Sequence, residues 1–163
     1  MTKRAQSGSG VKRLPMRGFS RSLPMALLRA REAVMREFRP VLRDHGITEQ
    51  QWRILRALSA GAEMEIAELA NATFLLGPSL SRILRDLEAR RLVTRRASDD
   101  DLRRGFVSIA PAGVALIAKV APFSEATYAG LARRYGATKL KLLHEMLSDL
   151  ENAAPSRAGK RRK

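Results

Sequence analysis

The stretch EIAELANATFLLGPSLSRILRDLE, residues 65–88, holds the pattern from which this 163-residue chain is best understood. Ile66, Leu69 and Ala70 fall on one side of a short helix expected over Glu65 to Asn71. Thr73 to Gly77 then reads as a tight turn. Pro78 opens a second helix, since a proline in the first turn gives up an N–H that would have had no partner there. Leu80, Ile83, Leu84 and Leu87 recur at steps of three and four, so they face inward and leave Ser79, Ser81, Arg82, Arg85 and Asp86 outside. Two short helices joined by a tight turn form a helix-turn-helix, whose second helix usually enters the DNA major groove. An ordinary solvated face is the plain alternative for the outward residues.

Downstream, Leu92–Arg96 and Phe106–Ile109 have the composition of strands around a polar tip, Ala97–Arg104, which makes a β-hairpin. Pro111 begins a long helix to about Tyr135, with Gly113 and Pro122 as blemishes, and Thr138 is expected to cap a last helix bearing Leu140, Leu143, Met146, Leu147 and Leu150. Upstream, Thr48 and Gln51 stand at the capping-box spacing, with Ile47 and Trp52 placed for a hydrophobic staple. That helix runs through Ile54, Leu55 and Leu58 and closes at Gly61. An earlier one is expected from its cap Ser22, with Pro24 in its first turn, a kink at Pro40 and an end at Gly46. Leu23, Leu27, Ala30, Val34, Phe38 and Val41 give it one apolar face, and Met25, Leu28, Glu32 and Met35 give it a second that is partly apolar. A helix with two such faces asks for two partners, its own core and another subunit. The whole is mainly α with a small β-hairpin wing, a winged helix-turn-helix.

Hydrophobic residues make up 45% of the chain, enough for a core. The absence of cysteine excludes disulfides and thiolate zinc sites. No apolar run approaches the ~18 residues that a membrane span needs, and no hydrophobic stretch follows Met1–Arg21 to act as a signal. The expectation is a soluble, cytoplasmic, nucleoid-associated protein without membrane partners. The net charge of +15 is concentrated at the ends. Lys3, Arg4, Lys12, Arg13, Arg17 and Arg21 at one end and Arg157, Lys160, Arg161, Arg162 and Lys163 at the other account for eleven of those charges, with no acid among either set. Residues 1–20 read as a flexible basic arm, 21–154 as the domain and 155–163 as a basic tail. Such ends add non-specific attraction to polyphosphate, or serve only to solubilise.

The chemistry sits on two elements. On the second helix of the motif, Ser79 and Ser81 can reach phosphates or base edges, and Arg82 and Arg85 are suited to bidentate contact with guanine. On the hairpin, Arg95, Arg96, Arg103 and Arg104 can follow the DNA backbone or enter the minor groove. Asp99, Asp100 and Asp101 are consecutive in a turn, which suits buttressing an arginine better than converging on a metal ion. His45 and His144 are the only histidines and pair with no nucleophile at a recognisable spacing; phosphate loops and metal-binding motifs are absent. Neither catalysis, a cofactor nor a metal is expected. An RNA-binding role would want an exposed aromatic platform, whereas aromatics are 5% and scattered.

Leu84-x-x-Leu87-Glu88 leading to Leu92-Val93-x-Arg95, then Asp101-x-Arg103 and Gly113, resembles the MarR family of regulators across residues 20–152. Ala30-Arg31-Glu32-Ala33, Phe38-Arg39-Pro40, Thr48-Glu49-Gln50-Gln51-Trp52-Arg53 and Pro78-Ser79-Leu80 look like its homoprotocatechuate-operon branch. One departure is Ile109-Ala110 where the family has Leu-Thr, which removes a helix cap worth ~1 kcal/mol, partly made good by Pro111. The resemblance implies a homodimer formed by helices at about 22–45 and 111–153, with a DNA-binding lobe at about 47–110. It implies double-stranded DNA with a near-palindromic operator as partner, bound in successive major grooves roughly 34 Å apart. It also implies repression of genes for aromatic-compound catabolism, lifted by a small phenolic acid or aldehyde. For that effector Arg31, helped by Arg29 or Arg53, would meet a carboxylate, Met25 and Trp52 would form walls, and His45 would bond a ring hydroxyl. Trp52 as core and Arg31 bridging to Glu32 are the plain alternatives. A constitutive or architectural DNA binder is the competing function.

Overall fold

The computed structural model describes residues 18–61, 63–98 and 104–154, so the basic tail and most of the arm lie outside the described residues. The chain divides into two compact units, Met1–Arg36 and Glu37–Lys163. A 3-10 turn at Phe19–Arg21 leads into α1, Leu23–Asp44. Then follow α2 (Glu49–Ser59), β1 (Glu63–Glu65), α3 (Ile66–Thr73), α4 (Gly77–Ala89), β2 (Val93–Ala97), β3 (Gly105–Ile109), α5 (Pro111–Tyr135) and α6 (Ala137–Ala153).

The local start and stop signals explain most of these bounds. Thr48 and Gln51 form the expected capping box, with Gln51 N–H donating to the Thr48 hydroxyl at 3.2 Å and Thr48 N–H donating to Gln51 Oε1 at 2.8 Å. Ile47 and Trp52 belong to one small cluster with Leu42 and Val120, the packing a staple requires. Gly46, at φ 67°, ends the turn after α1 in the left-handed region that glycine tolerates. Pro40 does not terminate α1, which continues through it to Asp44. Ala110 precedes α5 without a side-chain cap, and Pro111 takes the first position.

Three expectations need correction. The Ser22 hydroxyl donates backwards to the Phe19 carbonyl at 2.9 Å. Thr138 does not cap α6, which starts one residue earlier behind Gly136 at φ 101°. Gly113 is no blemish: a Cβ there would lie 2.2 Å from the Leu92 carbonyl oxygen, so only glycine lets the start of α5 pass the end of the hairpin.

The core of the second unit gathers Ile54, Leu55 and Leu58 from α2, Leu69 from α3, Leu80, Ile83, Leu84 and Leu87 from α4, and Val93 and Val107 from the hairpin. Each such side chain, fully removed from water, contributes on the order of 1.5–3 kcal/mol before entropy is counted. The sheet has the order β1-β3-β2, antiparallel throughout, with Arg96 opposite Phe106 and Glu65 opposite Phe106 on the other side. β1 was not expected from the sequence. It pins the hairpin beside the start of α3, so the wing and the helix-turn-helix share one core.

Candidate nucleic-acid interface

The helix α4 is held by its apolar side and bare on the other. Leu80, Leu84 and Leu87 are fully buried, while Ser79, Ser81, Arg82 and Arg85 are exposed. Arg82 and Arg85 have no hydrogen-bond or ion-pair partner among the described residues, so their guanidinium groups are available to an outside acceptor. Leu76 gives the helix start no side-chain cap, and the first turn carries no acid, which leaves the positive end of the helix dipole unneutralised. Asp86 is different from its neighbours: its carboxylate accepts from Gln51 Nε2 at 2.6 Å and lies 3.6 Å from Arg90. It ties α4 to the capped start of α2. Between these helices lies an open cleft of about 360 Å³ lined by Thr48, Gln50, Gln51, Arg82, Ile83 and Asp86.

The hairpin carries its arginines in ion pairs. Arg95 donates from Nε and Nη2 to Glu88 on α4, the Nε contact at 2.8 Å. Arg96 bonds both oxygens of Glu63 at 3.0 and 2.6 Å, and Arg104 bonds both oxygens of Glu65 at 3.2 and 2.7 Å. The Phe106 ring takes part as well, with Arg96 4.5 Å and Arg104 5.7 Å from its centroid. Hydrogen bonding from Arg104 is the main cause that holds the Glu65 carboxyl below its ordinary 4.5, against the opposing effect of partial burial. An open cleft of about 410 Å³ follows this seam, lined by Ile66, Glu88, Arg95, Arg96 and Arg104 among others. Arg103 and the three aspartates of the tip lie outside the described residues.

The three glutamates were missed from sequence because two of them sit on the unforeseen β1. The alternation Glu63-Met64-Glu65, with only Met64 joining the core, was the available signal. Exposed pairs of this type contribute little stability in water. They do keep three arginines extended along one seam, from which phosphate oxygens can displace the carboxylates.

The residues expected to hold an effector fall in both units, Met25, Arg29 and Arg31 in the first and His45, Trp52 and Arg53 in the second. Arg31 donates to Glu32 at 2.8 Å, the bridge that was its plain alternative. Met25 and Arg29 belong with it to the first unit, on α1, Met25 half-buried and Arg29 exposed. Arg53 is a strut: Nη1 donates to the Thr73 carbonyl at 2.8 Å and Nη2 to Glu49 at 3.0 Å. Arg39 holds the same Glu49 carboxylate from α1 at 3.1 Å. His45 places Nδ1 2.8 Å from the Val41 carbonyl, which requires the proton on that nitrogen, and its ring lies 5.6 Å from that of Phe123. Trp52 alone of the three in the second unit reaches a crevice, lined with Phe38, Val41, Leu42, Val120, Ser124 and Thr127 and too narrow for a water molecule. Ser124 and Thr127 were not foreseen, because nothing local marks which face of α5 meets Trp52.

Among the described residues no helix is long and apolar enough to cross a membrane. The family model described as "MarR family" matches residues 45–104. The homoprotocatechuate degradative operon repressor of Escherichia coli is 38% identical over 128 residues, which are 78% of this chain and 86% of that protein. The HTH-type transcriptional regulator FarR of Neisseria gonorrhoeae is 34% identical over 137 residues, 84% of this chain and 94% of that one. Among solved structures, the transcriptional regulator PA4135 superposes with a TM-score of 0.79 at 40% identity, covering 82% of this chain and 98% of its own. NadR in complex with 4-hydroxyphenylacetate gives 0.73 at 34%, with 86% and 100% covered. The transcriptional repressor CouR, bound to a 23-mer DNA duplex, gives 0.74 at 26%, with 86% and 99% covered.

Proposed function

Since the chain belongs to the MarR family of winged helix-turn-helix regulators, we propose that it is a cytoplasmic, dimeric repressor of aromatic-compound catabolism genes, released from its operator by a phenolic acid. The observation that carries the reading is the face of α4 on which Ser79, Ser81, Arg82 and Arg85 stand exposed beside an uncapped helix start. In this reading α4 enters the major groove, Arg82 and Arg85 bond guanine O6 and N7, and the serines reach phosphates. Arg95, Arg96, Arg103 and Arg104 exchange carboxylate for phosphate along the flanking backbone or minor groove. No enzymatic role is proposed.

Two chains are needed because α6 buries no residue of its own: Leu142, Leu143, Met146, Leu147 and Leu150 are all exposed along it. A second copy supplies the cover. The phenolic effector rests on the repressor and the ligand complex among the similar proteins. The narrow crevice at Trp52 is its proposed entry, opened as the ligand shifts the population of recognition-helix spacings.

The test begins by selecting duplexes from a random library with the whole protein at physiological salt. An enriched site bound at least a thousandfold more tightly than random duplex supports a specific regulator. Equal affinity for all duplexes leaves only the architectural alternative. Adding 4-hydroxyphenylacetate and related phenolic acids should then quench or shift the emission of Trp52, the sole tryptophan, and release the selected duplex. If neither signal moves with any of them, the effector part is wrong.

A further inference from the structure

The turn between α3 and α4 keeps two large apolar side chains in water. Phe74 is 82% exposed and Leu76 76%, whereas Leu75 between them packs against the core. This is not slack in the chain. The Thr73 hydroxyl donates to Leu69 O at 2.6 Å, Arg53 holds the Thr73 carbonyl, and the Leu75 N–H donates to Ala70 O at 3.1 Å. Phe74 itself closes α3 in the left-handed conformation, at φ 52° and ψ 36°. Glycine or asparagine would hold that conformation with less strain and without exposing a ring. Folding therefore gains nothing from the Phe74 side chain, and its use lies outside the chain.

Leu76 immediately precedes Gly77, the first residue of α4, and a Cβ at Gly77 would meet nothing within 4 Å. The approach to this corner is open. The same end of the helix carries the exposed Ser79 and Arg82 and no acid. A surface that is cationic, unneutralised and apolar at one edge is complementary to the major groove, whose only protruding apolar group is the C5-methyl of thymine. We infer that Phe74 and Leu76 read thymine methyl groups at the edge of each half-site, adding an apolar term to the contacts of Arg82 and Arg85. The inference rests on the DNA-binding reading above.

The test deletes the methyl groups from the DNA and leaves the protein intact. In the duplex selected by the whole chain, thymidine is replaced by deoxyuridine one position at a time. One or two positions per half-site should weaken wild-type binding about fourfold each, the worth of one buried methyl. Phe74→Asn, which suits the left-handed turn, or Leu76→Ala should bind the thymidine and deoxyuridine duplexes equally at that position, with urea midpoints no lower than wild type for Phe74→Asn. Wild-type indifference to deoxyuridine everywhere would overturn the inference, as would full sensitivity retained in both variants. So would variants that keep the methyl response but lose self-association, which would make the patch a protein contact. Failure of the underlying reading is seen separately, since no duplex would then be enriched at all.

Discussion

Gly113 and Gln51 show how single positions hold this fold. The backbone contact at Gly113 leaves no room for a methyl, and carbonyl oxygens cannot swing aside as side chains do. Gly113→Ala is expected to lower unfolding stability by about 1–3 kcal/mol in urea titrations, although the same change in an open helix would be favourable. Gln51 is nearly buried and uses its amide twice, accepting from Thr48 N–H and donating to Asp86. Gln51→Leu should cost about 1–3 kcal/mol, because a buried donor and a carboxylate both lose their partner while the volume is conserved. The cap half of this arrangement was legible in the sequence, since Thr48 and Gln51 are three residues apart and obey a local rule. The Asp86 half was not, because nothing local marks a partner 35 residues away. For the same reason Arg53 looked like a ligand contact when it is a strut: the carbonyl it holds belongs to another element.

The elements themselves were largely readable where their periodicity is long. α2, α4 and α5 follow from leucine spacing, caps and prolines, and the hairpin from its β-branched flanks. β1 was not read, for an alternation of only three residues is a weak signal and it is a strand only because β3 offers an edge. That short strand supplies the carboxylates of the wing, so the misreading of one element concealed half of an electrostatic network. The Glu65–Arg104 pair gives the wing a pH signature. The carboxyl titrates lower in the folded chain than its ordinary 4.5, so the pair stabilises at neutral pH, where Glu65 is ionised in folded and unfolded chains alike. That contribution is lost as pH falls through the depressed folded value. Urea midpoints of the wild type and Glu65→Gln should therefore differ at pH 7, begin to approach each other near 4.5 and converge once the pH has fallen through the depressed folded value. On the recognition helix, Arg82→Ala and Arg85→Ala should each weaken specific binding by about 1–3 kcal/mol and relax one base preference. Equal losses on selected and random duplex would assign them to phosphate instead.

At the scale of the whole molecule, the chain presents more apolar surface than a lone protein keeps. Phe123, Tyr128 and Tyr135 on α5 are exposed, as are Leu142, Leu143, Leu147 and Leu150 on α6. Leu147→Glu should convert the dimer to monomers in light scattering while leaving the core of the second unit intact, because Leu147 is no part of it. Removing residues 1–20 should weaken binding to selected and random duplexes by the same factor and make the salt dependence shallower. The resemblance read from the sequence already covered this level, whereas the composition alone pointed only to polyphosphate. An α6 that buries none of its own side chains carries a consequence for gene control. Wherever monomers outnumber dimers, the concentration of competent repressor grows with the square of the amount synthesised. Growth that halves its concentration without new synthesis would then quarter the dimer, so the species able to span two half-sites falls away faster than the protein itself.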